Sequence, residues 1–450
     1  MTKDIRMEIN TGDTAWVLMS SALVLLMTPA LAFFYGGMVR SKSVLNMLMM
    51  SVVTIAIVTP IWILYGYSLA FGTSNANGLI GDFSALGLSG MLDDVAVNGA
   101  PYPIPVLIFA AFQLMFAIIT PALISGAIAD RAKFAAWGLF VAAWVTLVYF
   151  PVAHWVFAFG DEEGKGAGWL ASWGVVDFAG GTAVHVNAGA AGLALAIVLG
   201  KRVGWRQDPM RPHSLPFVML GAGLLWFGWF GFNAGSALGA NGAAALAFVN
   251  TQAATATAVL GWLLVEKVRN GQATTLGAAS GAVAGLVAIT PACAALTPVG
   301  SLALGLIAGA ACAFAVSLKY RFGFDDSLDV VGVHLVGGAV GSIAIGLLAA
   351  PSSVVGATGL LYGGGSDGLT LLGKQAVAVA AVGAFSFTVA LVIGKLIDMT
   401  MGFRIDEEEE VMGIDSLEHA ETAYDLHQGM TGMRLQAQVP VAADKEGVNA

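Results

Sequence analysis

Charge, cysteine and histidine are all scarce in this chain. Of its 450 residues, 11% are Asp, Glu, Lys or Arg and 57% are hydrophobic. Soluble domains carry about 25% charge and about 45–50% apolar residues with glycine counted in, so a water-covered surface of ordinary make-up is excluded. The two cysteines, Cys293 and Cys312, make neither a disulfide framework nor a zinc site, and they read as buried small residues in or beside apolar runs. No basic patch with interleaved aromatics is present, which speaks against nucleic acid. The net charge of −9 says little about partners, because acids gather toward the C-terminus. Neither an HExxH string nor a paired acidic motif accompanies the six histidines, so the sequence asks for no metal and no cofactor.

What the sequence does have is apolar length. A bilayer-spanning helix needs roughly 20 mostly apolar residues, and this pattern recurs near 14–35, 44–71, 105–129, 134–159, 183–199, 216–238, 243–265, 275–290, 299–318, 330–350 and 371–397. The expected fold is an all-α integral membrane protein of about eleven transmembrane helices. Basic residues gather after alternate spans: Arg40 and Lys42 after the first, Arg131 and Lys133 after the third, Lys201, Arg202, Arg206 and Arg211 after the fifth, Lys267 and Arg269 after the seventh, Lys319 and Arg321 after the ninth. The other loops carry Lys165 and, at an edge, Lys374. The positive-inside rule then puts the N-terminus outside and the C-terminus in the cytoplasm of a multi-pass protein of the cell membrane. Glycine and alanine crowd many spans, as in Gly221-Ala222-Gly223 and Gly337-Gly338. Small residues let membrane helices approach closely, so a tightly packed bundle is expected.

The ends are of a different kind. Lys3, Arg6, the apolar run from Ala15 and Ala30-Leu31-Ala32 imitate a cleavable secretory signal. Asp4, Glu8 and Asp13 cancel the basic start, and the apolar run continues into Phe33-Phe34-Tyr35, so the first span is expected to be retained. The organisation expected is an extracellular N-terminus (1–13), a membrane domain (14–398), a cytoplasmic segment (399–424) and a disordered polar tail (425–450).

Ionisable groups inside spans are costly and usually functional. His185 lies early in the fifth span, in DFAGGTAVHVNAGAAGL, and His334 early in the tenth, in DVVGVHLVGGAVG. In a soluble protein each would more often be a satisfied core residue; inside a membrane span the weighting reverses. If the first ten helices form two five-helix halves, an odd number per half makes them an inverted repeat, plus one extra helix, with a site at the repeat interface. The fifth and tenth spans then correspond. An acid precedes each histidine, Asp177 by eight residues and Asp329 by five.

Aromatics form the second cluster. Phe112 and Phe116 are four apart and share a helix face, and the sixth span reads LLWFGWFGFNAGSA. Aromatic runs also form interface belts, and composition alone leaves the two readings even. Asn233 and Ser236 at the same end favour a site, since ring faces attract cations and a hydroxyl or amide oxygen accepts an N–H bond.

The strings FFYGGMVRSKSVLNM, YGYSLAFG, DFAGGTAVHVNAG, GWFGFNAGSA and DVVGVHLVGG resemble those of the ammonium transporter family, from the first span to about Tyr424. The resemblance implies paired pore histidines at His185 and His334 and stacked gate phenylalanines at Phe116 and Phe232. It also implies an outer ammonium site at Ser236 and Phe112, an essential aspartate at Asp177, and pore-lining Trp229 and Thr290. One position departs: where many members carry tryptophan in an AHxVW string, this chain reads AHWVF, which puts Phe157 at the outer site. Phe157 is a weaker cation–π partner, with Trp155 or Trp169 as alternatives. The loop Gly160–Gly168 that follows resembles an insertion.

The function implied is uptake of ammonium, deprotonated below the gate and passed as ammonia along the histidine pair, by a homotrimer in the lipid bilayer. Gly402–Tyr424 resembles the family's segment that helps PII-type regulatory proteins dock, whereas its charge run alone reads as a solvated acidic stretch. Two rivals follow from the same residues. One is an ammonium sensor signalling through the C-terminal segment. The other is a membrane enzyme or metalloprotein built on the two histidines, which would need further ligands.

Overall fold

Helix length and apolarity decide which elements can cross a bilayer, and ten helices meet both demands in the computed structural model, which describes residues 8–72, 76–92, 94–208 and 210–424. They are α1 (Thr11–Met38), α2 (Val44–Phe71), α3 (Val106–Ile128), α4 (Phe134–Phe157), α5 (Gly181–Leu199), α6 (Leu215–Gly235), α7 (Gly242–Asn270), α9 (Pro298–Phe322), α10 (Val331–Leu348) and α11 (Gly365–Met401). The eleventh, α8 (Thr275–Ile289), has 15 residues. At about 1.5 Å per residue it is too short to cross alone, and consecutive turns through Leu296 extend it. The expected 425–450 tail and most of the N-terminal segment lie outside the described residues.

The halves α1–α5 and α6–α10 meet through corresponding helices: α1 packs along α6, and the start of α5 against α10. The second contact is close because of a missing side chain. A Cβ on Gly338 would lie 2.8 Å from the Gly181 carbonyl oxygen and 3.0 Å from the His185 Cβ. Small residues at such crossings replace the hydrophobic drive that helices lack in lipid.

Both halves begin their fifth helix in the same way. A residue with left-handed backbone stands five before each histidine, Gly180 (φ +116°) and Asp329 (φ +64°). Each histidine then sits in a π-helical turn, Gly181–Val186 or Val331–Leu335, a wide turn that is frequent at functional sites. Ahead of each turn a buried carboxylate takes up the free amides of the helix start. Asp177 accepts the N–H groups of Gly180, Gly181 and Thr182 at 2.7–2.8 Å, that of Ala183 at 3.3 Å, and the Thr182 hydroxyl. In the other half this part falls to Asp326, which accepts Val330 and Val331 N–H at 3.1 and 2.8 Å. Asp326, not Asp329, is therefore the counterpart of Asp177, each eight residues before its histidine. Asp329 corresponds to Gly180, and its carboxylate turns away to Lys319 at 2.7 Å.

The end of the bundle that carries the basic loops is closed by charge and by the C-terminal segment. Arg202 pairs with Asp325 at 2.9 Å and Asp130 at 3.1 Å. Buried Arg131 donates to Asp325, Ala127 and Ala129 carbonyls and to Ser327. Burial would by itself raise the Asp325 carboxyl, but the hydrogen bonds and charge of Arg202 outweigh it and hold the group below its usual value. Two short helices, α12 (Glu407–Met412) and α13 (Ile414–Glu418), lie over this layer. Glu410 is buried against Arg404 and Arg40, Asp415 accepts the first amides of α2 at Leu45 and Asn46, and Glu418 accepts that of α4 at Phe134. The segment thus supplies helix caps from more than 280 residues away, and it is docked where a charge run alone reads as solvated.

Candidate functional site: an aromatic and histidine bore

At the end opposite the basic loops, a cavity of about 210 Å³ is lined by Asn98, Tyr102, Gln113, Phe116, Phe157, Phe159, Asp177, Phe178, Ser236 and Leu238. Four different segments bring these side chains together: the loop after α2, α3, the end of α4 with the approach to α5, and the turn after α6. The Ser236 hydroxyl donates to the Phe232 carbonyl at 2.8 Å, which leaves its oxygen free to accept. Phe112 is fully buried behind the cavity wall, with its ring 4.9 Å from that of Phe116. Phe157 lines the cavity, and its ring lies 6.5 Å from Phe116. Neither Trp155 nor Trp169 lines it. Those two rings pack on each other at 5.8 Å, and Trp155 on Phe385 at 4.8 Å, with its indole N–H held by the Leu79 carbonyl. The loop Gly160–Gly168 closes on itself, Gly168 N–H to the Ala158 carbonyl at 2.8 Å, so its extra length does not displace Phe157.

Below this cavity the Phe116 and Phe232 rings lie 4.3 Å apart, tilted by 42°. Both are nearly inaccessible to solvent, so they close the bore. A small, wholly apolar-surfaced space follows, lined by Met27, Leu31, Ile119, Leu123, Val184, His185, Leu225, Trp229, Phe232, Val283 and His334. Its free volume of about 10 Å³ is near the lower limit for one water-sized molecule. The His185 ring stacks at 6.1 Å from Phe232 and 5.5 Å from Trp229. The Trp229 indole N–H donates to Thr290 at 2.9 Å, which satisfies the one polar group that the ring would otherwise bury.

The two imidazoles meet where the halves join, Nδ1 to Nδ1 at 3.3 Å, with ring planes 25° apart. Both are buried. The His185 Nε2 is buried and has no protein partner among the described residues. At the basic end a wide cavity of about 660 Å³ opens among Arg40, Asp130, Arg202, Lys319, Tyr320 and Asp329. The outer cavity, the two closing phenylalanines and the narrow apolar space that both imidazoles line follow one another. Among the described residues no group of three or more His, Cys, Asp or Glu side chains could hold a metal ion.

Two polar residues of the outer cavity wall, Asn98 and Tyr102, have no counterpart among the sequence expectations. Asn98 and Tyr102 belong to a hairpin of two short strands, β1 (Val95–Val97) and β2 (Pro101–Pro105), in the loop after α2. Three prolines in five residues of β2 disguise it, since proline cannot donate to a ladder and argues against a strand. The alternation of burial along so short a pair carries no signal of its own.

A model of the Ammonium Transporter Family matches residues 15–424. The ammonium transporter of Mycobacterium tuberculosis (strain H37Rv) is 56% identical over 456 residues, covering 97% of this chain and 95% of that protein. Among solved structures, Mep2 of Candida albicans superposes with a TM-score of 0.80 at 34% identity over 89% of this chain and 88% of the other. A protein described as a sensor Amt protein does so at 0.82 and 27%, over 91% and 98%. Sequence, fold and the order of the bore agree: this chain is a member of the ammonium transporter family.

Proposed function

We propose that the chain takes up ammonium across the cell membrane and moves it through the bore as ammonia, with the outer cavity outside and the basic loops in the cytoplasm. Ammonium is recruited among Phe157, Phe116 and Ser236, with Phe112 packed behind Phe116, where ring faces attract a cation and the serine oxygen accepts an N–H bond. Asp177 supports this doorway by holding the start of α5, and Trp229 with Thr290 holds the wall beside His185. The single observation that carries the reading is the histidine pair beneath two closely packed phenylalanines in an apolar bore.

A bare cation in such a bore costs several kcal/mol even on lenient scales. Potassium is about the size of ammonium and cannot shed that cost, whereas ammonium can by releasing a proton. Imidazole exchanges protons near neutral pH, and two rings in contact can carry a proton while ammonia passes beside them. His185→Ala tests this: ammonium-evoked current across proteoliposomes should be lost, and an unchanged current would refute the relay.

The docked segment Phe403–Tyr424 favours regulation from the cytoplasmic side, with a PII-type protein as partner; the assembly proposed with it, a homotrimer, rests on the family resemblance. The second reading, an ammonium sensor signalling through this segment, draws on the same docking and on the likeness to a protein described as a sensor. Uptake of labelled methylammonium into vesicles, with and without the residues after Phe403, separates them: transport that survives truncation favours the channel.

A further inference from the structure

The outer aromatic, Phe157, stands at the last turn of α4, where a helix end frays unless something holds it. Its backbone is held from outside the helix. The Asn98 side chain donates through Nδ2 to the Phe157 carbonyl at 2.9 Å and accepts the Phe159 N–H through Oδ1 at 2.7 Å. Both bonds are long-range, spanning about sixty residues of sequence. Next to it the Gly99 N–H donates to the Gly160 carbonyl at 2.7 Å. The hairpin that carries Asn98 is itself anchored, since the Asn10 N–H bonds to the Pro103 carbonyl at 2.8 Å and that of Val106 to the Asp94 carbonyl at 3.0 Å. Asn98 is 8% exposed, and it lines the same cavity as Phe157 and Ser236.

We infer that Asn98 is a positioning residue of the outer ammonium site: its carboxamide clamps both sides of residue 158 and so fixes where the Phe157 ring meets the cation. Only an amide can fill the place. Reading along the chain, the clamp needs one donor for a carbonyl and one acceptor for an N–H, and asparagine presents the two side by side. Aspartate would set an oxygen against the Phe157 carbonyl oxygen; alanine would take this partner from the buried Phe157 carbonyl and from the partly buried Phe159 N–H. The clamp also accounts for the tolerance of a phenylalanine here. A weaker ring face can still serve if its place is fixed, because less ordering is left to be done when the cation binds.

This inference rests on the proposed transport function, and the test keeps the two apart. Asn98→Ala and Asn98→Ser, each alone and combined with Phe157→Ala, are reconstituted as full-length protein, and ammonium-evoked current is measured against concentration. For either substitution the half-saturating concentration should rise about three- to tenfold, the range expected for losing a placed cation–π contact, with the maximal current within about twofold of the parent. In the Phe157→Ala background the same substitution should add no further shift, since nothing remains to be positioned. Hydrogen exchange of the peptide covering residues 155–162 is read on the same proteins and should quicken, whether or not they transport. A full additive shift in the Phe157→Ala background, a fall in maximal current without a change in half-saturation, or unchanged exchange would overturn the assignment. No ammonium current from the unsubstituted protein would refute the transport reading instead, and the exchange result would still decide whether Asn98 holds the end of α4.

Discussion

His185 and His334 present like atoms to each other, Nδ1 to Nδ1 at 3.3 Å. Only one hydrogen fits between them, so one ring donates and the other accepts. The donor ring then has a bare Nε2 and the acceptor ring an Nε2–H, one acceptor and one donor along the bore. When the bare Nε2 takes up a proton, the shared proton crosses to the other ring and that ring releases its Nε2–H, the two parts are exchanged and one proton has moved across the pair, which is what a relay requires. Either histidine replaced by alanine should cut ammonium-evoked current by about a hundredfold, at the low end of what a positioned proton-transfer group contributes. Currents from both variants in proteoliposomes check this; a variant within a few-fold of the parent contradicts it.

Asp177 and Asp326 hold matching helix starts, and equal treatment should expose the repeat. Asparagine at either place turns amide hydrogens toward backbone N–H groups that need acceptors. Asp177→Asn should cost about 2–3 kcal/mol, the range for buried donors left unmet. Asp326→Asn should cost less, because it accepts two backbone amides where Asp177 accepts four. Thermal unfolding in detergent measures both, and a larger loss from Asp326→Asn would be against this account.

Phe157→Trp should tighten the outer site. Tryptophan is the best cation–π face, and the ring's backbone is already held by Asn98. Half-saturation by ammonium should fall about two- to fivefold, with potassium still not conducted. No change, or a rise, would show that Phe157 does not meet the cation.

The C-terminal segment should loosen when its caps are removed. Asp415→Ala strips acceptors from Leu45 and Asn46 N–H, a loss of about 1 kcal/mol for a helix cap. Limited proteolysis should cut the variant earlier than the parent between Phe403 and Tyr424, while the bundle stays intact.

Asp325 supplies a pH dependence with a definite sign. Its carboxyl is held below its usual value, so its stabilisation is fully present above about pH 4, the unfolded range, and is lost as pH falls through the lower folded value. Arg202→Ala leaves burial to dominate and should push the carboxyl up. The variant should be less stable than the parent at about pH 6, and the gap should narrow toward about pH 3. Unfolding curves across that range check this, and a constant gap would contradict it.

Apolar run length made the spans legible, and a bilayer demands so much length that even α8, which is short, could be found. His185 and His334 were legible because a titratable group is conspicuous among Val, Gly and Ala. Three features were not. The choice of Asp326 over Asp329 depends on where the chain turns left-handed, although the shared eight-residue spacing was there to be read. The docking of the Phe403–Tyr424 segment rests on caps given to helices far earlier in the sequence, and an acidic run looks the same whether it caps amides or faces water. The Asn98 hairpin hides behind its prolines and earns its place only through contacts with α4.

The most direct measurement of the central claim is current across proteoliposomes of the purified protein, with ammonium and potassium presented in turn at equal concentration. The account predicts a saturable current with ammonium that His185→Ala abolishes, and none with potassium. Equal currents from the two cations would mean that a bare cation crosses the bore, and would contradict deprotonation at the histidine pair.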